Sequence, residues 1–161
     1  MSMLYLVRHA AAEEQREGRS DDERTLTAEG IRKFRKAARG IVRLLGELPP
    51  EVILTSPLVR ARQTAELLVE AFDAAKVKVE LRGLAALGPP GALGKLLKES
   101  RGQDTMAVGH EPILSEWIGE LCFGGAGNLE LKKGALAAVE LETERKGRLV
   151  YLMQLAALRE L

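Results

Sequence analysis

The chain has 161 residues, 46% apolar and 29% charged, which is the balance of one folded domain with a proper core and excludes a disordered chain. Lys plus Arg number 24 and Asp plus Glu 23, so the net charge of +1 gives no reason to expect nucleic acid or membrane as a partner. The single cysteine, Cys122, excludes an internal disulfide and a metal site of cysteine spacing. With no signal-peptide pattern at the start and no apolar run near the ~18 residues of a membrane span, the expected location is the reducing cytoplasm.

Residues 3–7 form a nearly continuous apolar run, as a strand buried on both faces does, and the run stops at Arg8-His9. The charge-rich stretch 10–24 reads as a loop. Thr27 has the character of a helix N-cap, with Glu29 in the first turn where the helix dipole favours an acid. Ile31, Phe34, Ala38, Ile41, Leu44 and Leu45 then recur at helical spacing up to Gly46 and Pro49-Pro50. A second strand over 52–55 ends at Ser56-Pro57, and the helix after it carries Ala61, Ala65, Leu68 and Phe72 on one face. Residues 77–81 are expected as a third strand and 83–94 as an irregular Gly/Pro-rich segment, followed by a short helix around Leu96. The fourth strand, 105–108, stops at Gly109-His110; a helix over about 112–121 begins with Pro112 in its first turn. After the glycine patch 124–127, read as a turn, apolar runs over 135–141 and 149–155 flank Lys146-Gly147 and predict an antiparallel pair. Alternating strand and helix predict an α/β domain, a three-layer α/β/α sandwich with a mainly parallel sheet.

Both histidines of the chain directly follow a predicted strand. Ligands of open α/β sheets bind outside the carboxyl ends of the strands. Arg8-His9, Ser56-Pro57 with Arg60, and Gly109-His110 all fall at such ends, so the sheet is expected to gather them around one pocket. Two guanidiniums and two imidazoles suit a compact anion, because the arginine fork matches phosphate oxygens. The Glu111 and Ile113 amides at the start of the fourth helix add possible donors. Phosphoryl transfer fits such a pocket, with neutral His9 as nucleophile and His110, if protonated, holding the equatorial oxygens.

Other phosphatase chemistries lack their residues. Six places after Cys122, where a cysteine nucleophile needs arginine, stands Asn128. His9-Ala10-Ala11 replaces the paired aspartates of an aspartyl nucleophile, and Gly94-Lys95-Leu96 is no phosphate-binding loop. No His/Asp cluster has metal-ligand spacing, so neither metal nor other cofactor is expected.

Leu6-Val7-Arg8-His9-Ala10 resembles the Arg-His-Gly signature of the histidine phosphatase superfamily, the phosphoglycerate mutase-like branch 1. Leu26-Thr27-Ala28-Glu29-Gly30, Ser56-Pro57-Leu58-Val59-Arg60-Ala61-Arg62-Gln63-Thr64 and Val108-Gly109-His110-Glu111-Pro112 match three further elements in the family's order. The resemblance implies that His9 is the nucleophile and that Arg8, Arg60 and His110 bind the phosphoryl group. Arg24 corresponds to an arginine near the pocket in short members, an ion pair with its acidic neighbours being the alternative. Glu111 either joins the substrate-binding set or serves the helix start.

Two departures stand out. Ala10 replaces the glycine, and Gly83 occupies the place where the family's general acid, a Glu after the third strand, is sought. Glu80 and Glu111 are the remaining carboxylates that offer themselves. An alkoxide leaving group needs a proton from the enzyme, whereas imidazole leaves readily. The missing acid therefore resembles the SixA-type phosphohistidine phosphatases, implying a phosphorylated histidine phosphotransfer domain as partner. A small phosphate ester is the alternative substrate, and a phosphoprotein-binding module without turnover is the alternative of another class. Ser56 is expected to cap the following helix, and Trp117 and Cys122 to pack against the sheet. Oligomeric state is left open by the sequence.

Overall fold

A computed structural model describes residues 1–83, 92–100, 102–125 and 128–161. Its elements in chain order are β1 (Ser2–Arg8), α1 (Ala28–Leu45), β2 (Val52–Thr55), α2 (Val59–Ala74), β3 (Glu80–Gly83), α3 (Ala92–Glu99), β4 (Thr105–Gly109), α4 (Ile113–Ile118), β5 (Leu136–Thr143), β6 (Lys146–Met153) and α5 (Leu155–Leu158). Among the described residues the six strands make one sheet, ordered β3-β2-β4-β1-β5-β6. The pairs β3-β2, β2-β4 and β4-β1 are parallel; β1-β5 and β5-β6 are antiparallel.

Side chains alternate across β1, and that alternation sorts the core into two layers. Tyr5 and Val7 join Phe34, Ile41, Leu68 and Phe72 beneath α1 and α2. Leu4 and Leu6 join Leu96, Leu114 and Trp117 beneath α3 and α4. Burying such a side chain contributes about 1.5–3 kcal/mol, so the sheet is held from both faces. This is the expected three-layer sandwich. α1 starts as its sequence predicts: the Thr27 hydroxyl accepts from the Gly30 amide at 2.9 Å, which satisfies one otherwise orphaned donor.

The final short helix, α5, lies on α1 where Gly40 leaves room. A Cβ on Gly40 would collide with the Leu158 carbonyl. Gly40→Ala is therefore expected to cost about 1–3 kcal/mol, the range for overpacking. A lowered urea midpoint with unchanged slope would show it; an unchanged midpoint would mean that α5 lifts off freely.

Several boundaries differ from the sequence reading. The third strand is Glu80–Gly83 rather than 77–81. Val77 and Val79 are apolar because they pack on the core beside the strand, whereas ladder pairing starts only at Glu80, opposite Val52. The helix expected over 112–121 is regular only to Ile118; the chain continues as a wider π turn over Gly119–Phe123, beginning at glycine, a weak helix former. In the β5-β6 hairpin Thr143 pairs with Lys146. The turn is therefore Glu144-Arg145, and Lys146-Gly147 lies inside β6. Gly147 serves close packing there, since a Cβ would stand 2.7 Å from Val139 Cγ1. The run 149–155 divides into the end of β6 and the start of α5. Most of the irregular segment 83–94, and residues 126–127 of the glycine patch, lie outside the described residues. Among the described residues, no helix is long and apolar enough to cross a membrane.

Candidate active site

Register builds the site. Arg8 pairs with Gly109 across β1 and β4, so His9 and His110, the next residues, leave adjacent strands at the same level. Thr55 pairs with Val108, which brings Ser56 and the first turn of α2 alongside. The two imidazoles consequently face each other with ring centroids 5.2 Å apart, inclined at 51°.

His9 is buried, and its Nδ1 lies 2.7 Å from the Ala10 carbonyl oxygen. A carbonyl only accepts, so Nδ1 carries the proton and donates, leaving the Nε2 lone pair free. Ala10 is itself fixed: its amide donates to Thr64 Oγ1 at 3.0 Å, and the Thr64 hydroxyl donates to the Arg60 carbonyl at 2.7 Å. Gln63 Oε1 accepts from the Leu26 amide at 2.8 Å. The Gln63-Thr64 pair thus ties two segments of the site, at Ala10 and Leu26, to α2. His110 Nε2 lies 2.7 Å from Ser56 Oγ, and the same hydroxyl accepts from the Leu58 amide at 3.3 Å. Ser56 does not cap α2 as expected, since the N-cap is Leu58 and no side chain caps the helix; its hydroxyl braces the turn before α2 and orients His110, which the sequence did not suggest.

The arginines approach from three directions. Arg60, only 6% exposed, donates to the Asp21 carbonyl at 2.8 Å and to Asp21 Oδ2 at 3.1 Å. Arg24 Nε forms an ion pair with Asp21 Oδ1 at 2.8 Å, and its terminal nitrogen donates to the Glu13 carbonyl at 3.1 Å. Both readings of Arg24 thus meet, because its acidic partner is also the partner of Arg60. Arg8 donates to the Leu131 carbonyl at 2.9 Å. Against the burial that opposes it, the charges of Arg60 and Arg24 hold the Asp21 carboxyl below its ordinary range.

Burial is the chief cause that lowers the His9 pKa to about 3; the charges of His110, Arg60 and Arg8 add to it, and the Ala10 contact offsets only part. His110 is lowered to about 4, again first by burial and then by Arg60, with Asp21 opposing. Both rings are neutral near pH 7. For His9 this suits a nucleophile. For His110 the protonated form requires a bound oxyanion, whose opposite charge raises the pKa.

The unfolded-state value of about 6.5 lies above both folded values, so the unfolded chain takes up protons first as pH falls. Stability is expected to decline as pH drops from about 6.5 towards 4. Denaturant titrations at stepped pH would show the slope, and a double His9→Asn, His110→Asn variant should flatten it. An equal slope in the variant would assign the effect to carboxylates instead.

Both alternative acids are already engaged by other groups. Glu80 pairs opposite Val52 at the far end of β2 and is engaged by Arg82 at 3.0 Å. Both oxygens of Glu111 accept backbone N–H groups, from Ser115 at 2.9 Å and from Leu131 at 3.3 Å. Glu111 thus ties the start of α4 to the segment at Leu131 with its carboxylate. α4 has only six residues, which weakens the case for a helix-dipole anion site there. The residues that sequence reasoning missed are Asp21 and Thr64, together with the His110-orienting role of Ser56. Only the Ser-Pro and Gln-Thr elements carried any trace of them.

The carboxyl ends of the central strands therefore gather two imidazoles and three guanidiniums, a set suited to phosphoryl transfer. The chain belongs to the histidine phosphatase superfamily (branch 1), whose profile matches residues 4–84. An uncharacterised protein of Picosynechococcus sp. strain PCC 7002 is 36% identical over 140 residues, covering 83% of this chain and 81% of its own. The fold is similar to the protein histidine phosphatase SixA solved with tungstate, with a TM-score of 0.78 at 24% identity over 96% of this chain and 97% of that one. It is also similar to the phosphoserine phosphatase of Entamoeba histolytica, with a TM-score of 0.67 at 14% identity over 94% and 96% of the two chains. These two similarities concern the fold.

Proposed function

We propose that this phosphatase hydrolyses protein phosphohistidine through a covalent phospho-His9 intermediate. The carrying observation is the state of His9: neutral, fixed as the Nδ1–H tautomer, with a free Nε2 beside His110 and within the field of Arg8 and Arg60. In the first step Nε2 bonds to phosphorus and the bond from phosphorus to the substrate imidazole breaks; that ring, already protonated on its other nitrogen, departs as neutral imidazole and needs no proton from the enzyme. Arg8, Arg60 and His110 hold the three equatorial oxygens. In the second step water attacks the phosphoryl group, the bond to His9 breaks, and inorganic phosphate departs with His9 neutral again.

The leaving group follows from the carboxylates. Among the described residues Glu80 and Glu111 are committed elsewhere, and Asp21 is kept ionised by two arginines. An imidazole needs less help to leave than an alkoxide does, which favours a phosphorylated histidine phosphotransfer domain over a phosphate ester.

The test compares kcat/KM for such a domain with a panel of phosphomonoesters, with His9→Ala as control. A preference for phosphohistidine of about a hundredfold, the smaller contribution of a general acid, is expected. A preference for an ester would move the substrate to small molecules and leave the His9 chemistry in place. Tight binding of phosphoprotein without phosphate release would make the chain a binding module.

A further inference from the structure

Beside the catalytic pocket runs an open groove of about 530 Å³, lined by Arg8, Lys33, Lys132, Lys133, Gln154 and Arg159 together with the apolar Leu155 and Ala156. Five of these side chains are cationic in a chain whose net charge is only +1. Among the described residues no carboxylate lines it; Glu29, 3.4 Å from Lys33, partners one of the five from outside.

The strap that carries Lys132 and Lys133 is fixed to the site itself. The Leu131 carbonyl accepts from Arg8 at 2.9 Å, and the Leu131 amide donates to Glu111 at 3.3 Å. The Lys132 amide donates to Gln154 Oε1 at 3.0 Å. The Gly134 amide lies 3.1 Å from both the Arg8 and His9 carbonyls. Two exposed lysines are thereby held in register with the nucleophile. Arg8 belongs to both places, reaching the groove while its charge acts on both histidines.

We propose that this groove is the docking surface for an acidic face of the phosphorylated protein, next to its phosphohistidine. The inference rests on the protein-phosphohistidine reading above. One phosphate is already provided for by Arg8, Arg60 and the histidines. Positive charge spread over α1, the strap and α5 suits an extended acidic surface better than a second compact anion. Such complementary charge speeds encounter and fixes register, and it weakens with salt. Lys132 and Lys133 stand outside the catalytic set, so their loss leaves the chemistry intact.

The experiment uses Lys132→Glu/Lys133→Glu, made in the full chain, against an acidic histidine phosphotransfer domain. Binding of the unphosphorylated domain is measured at low and high salt, and turnover is measured on the phosphorylated domain and on free phosphohistidine. Charge reversal is expected to weaken domain binding by about tenfold or more, to flatten its salt dependence, and to raise KM for the phosphodomain. Turnover of free phosphohistidine should be unchanged. Equal binding by both proteins would overturn the docking surface. Absence of phosphohistidine turnover in the wild type, with salt-sensitive domain binding that the reversal abolishes, would instead defeat the substrate reading and leave the groove standing.

Discussion

His9→Ala is expected to lose the covalent intermediate and to lower kcat by about 10⁴-fold or more, the scale on which removing a nucleophile acts. Quenching wild type in mid-turnover with radiolabelled substrate should leave label on the protein. The label should be stable to alkali and lost in acid, as a phosphorus–nitrogen bond is. The variant should carry none. Because the buried ring is neutral, its removal leaves a small cavity but strands no buried charge, and the fold should survive with a modestly lowered Tm. Label persisting in His9→Ala, or appearing on Ser56 or His110, would remove His9 from the reaction.

Arg60→Ala should cost about 10²–10³-fold in kcat, the effect of removing one preorganised donor to the transition state. Lysine should rescue little, since a single ammonium cannot reproduce the fork that spans two acceptors here. The substitution has a second, separable consequence. Arg60 lowers the pKa of both histidines, so both imidazole titrations, followed by nitrogen NMR, should move upward in the variant. Adding Asp21→Asn should recover part of the lost rate, because Arg60→Ala leaves a carboxylate less well balanced beside an anionic substrate. A rate loss below about tenfold would make Arg60 a purely structural residue, holding the Asp21 turn.

The grouping of the candidate site was legible in the sequence because its residues sit where strands end. Arg8-His9, Ser56 and Gly109-His110 each follow a buried apolar run, and such runs are what a short parallel strand looks like in sequence. Parallel pairing then had only to bring these ends side by side, as the Arg8-Gly109 register does. What stayed hidden depends on contacts between distant segments that leave no period behind them. Asp21 was legible only as a neighbour of Arg24, yet its other partner is 39 residues away. Nothing near Leu131 announced that its carbonyl receives Arg8, 123 residues earlier. The third strand was misplaced for a different reason: it is an edge strand whose side chains are all exposed, so apolarity marked the core-packed approach at Val77 and Val79 instead of the ladder.

Asp21 gives the site an anion of its own. Its carbonyl and carboxylate occupy two donors of Arg60, and the same carboxylate pairs with Arg24. A phosphoryl group taking those donors must displace a resident acceptor, so entry is an exchange of partners and its net gain is smaller than the new contacts alone would give. The same exchange runs in reverse once inorganic phosphate has formed. The acceptor that was displaced stands within reach to reclaim the guanidinium, and product leaves without stranding a buried cation. Weak product inhibition is the outcome expected of this arrangement at the 3₁₀ turn over Asp21–Glu23, and inorganic phosphate titrated into the reaction would measure it.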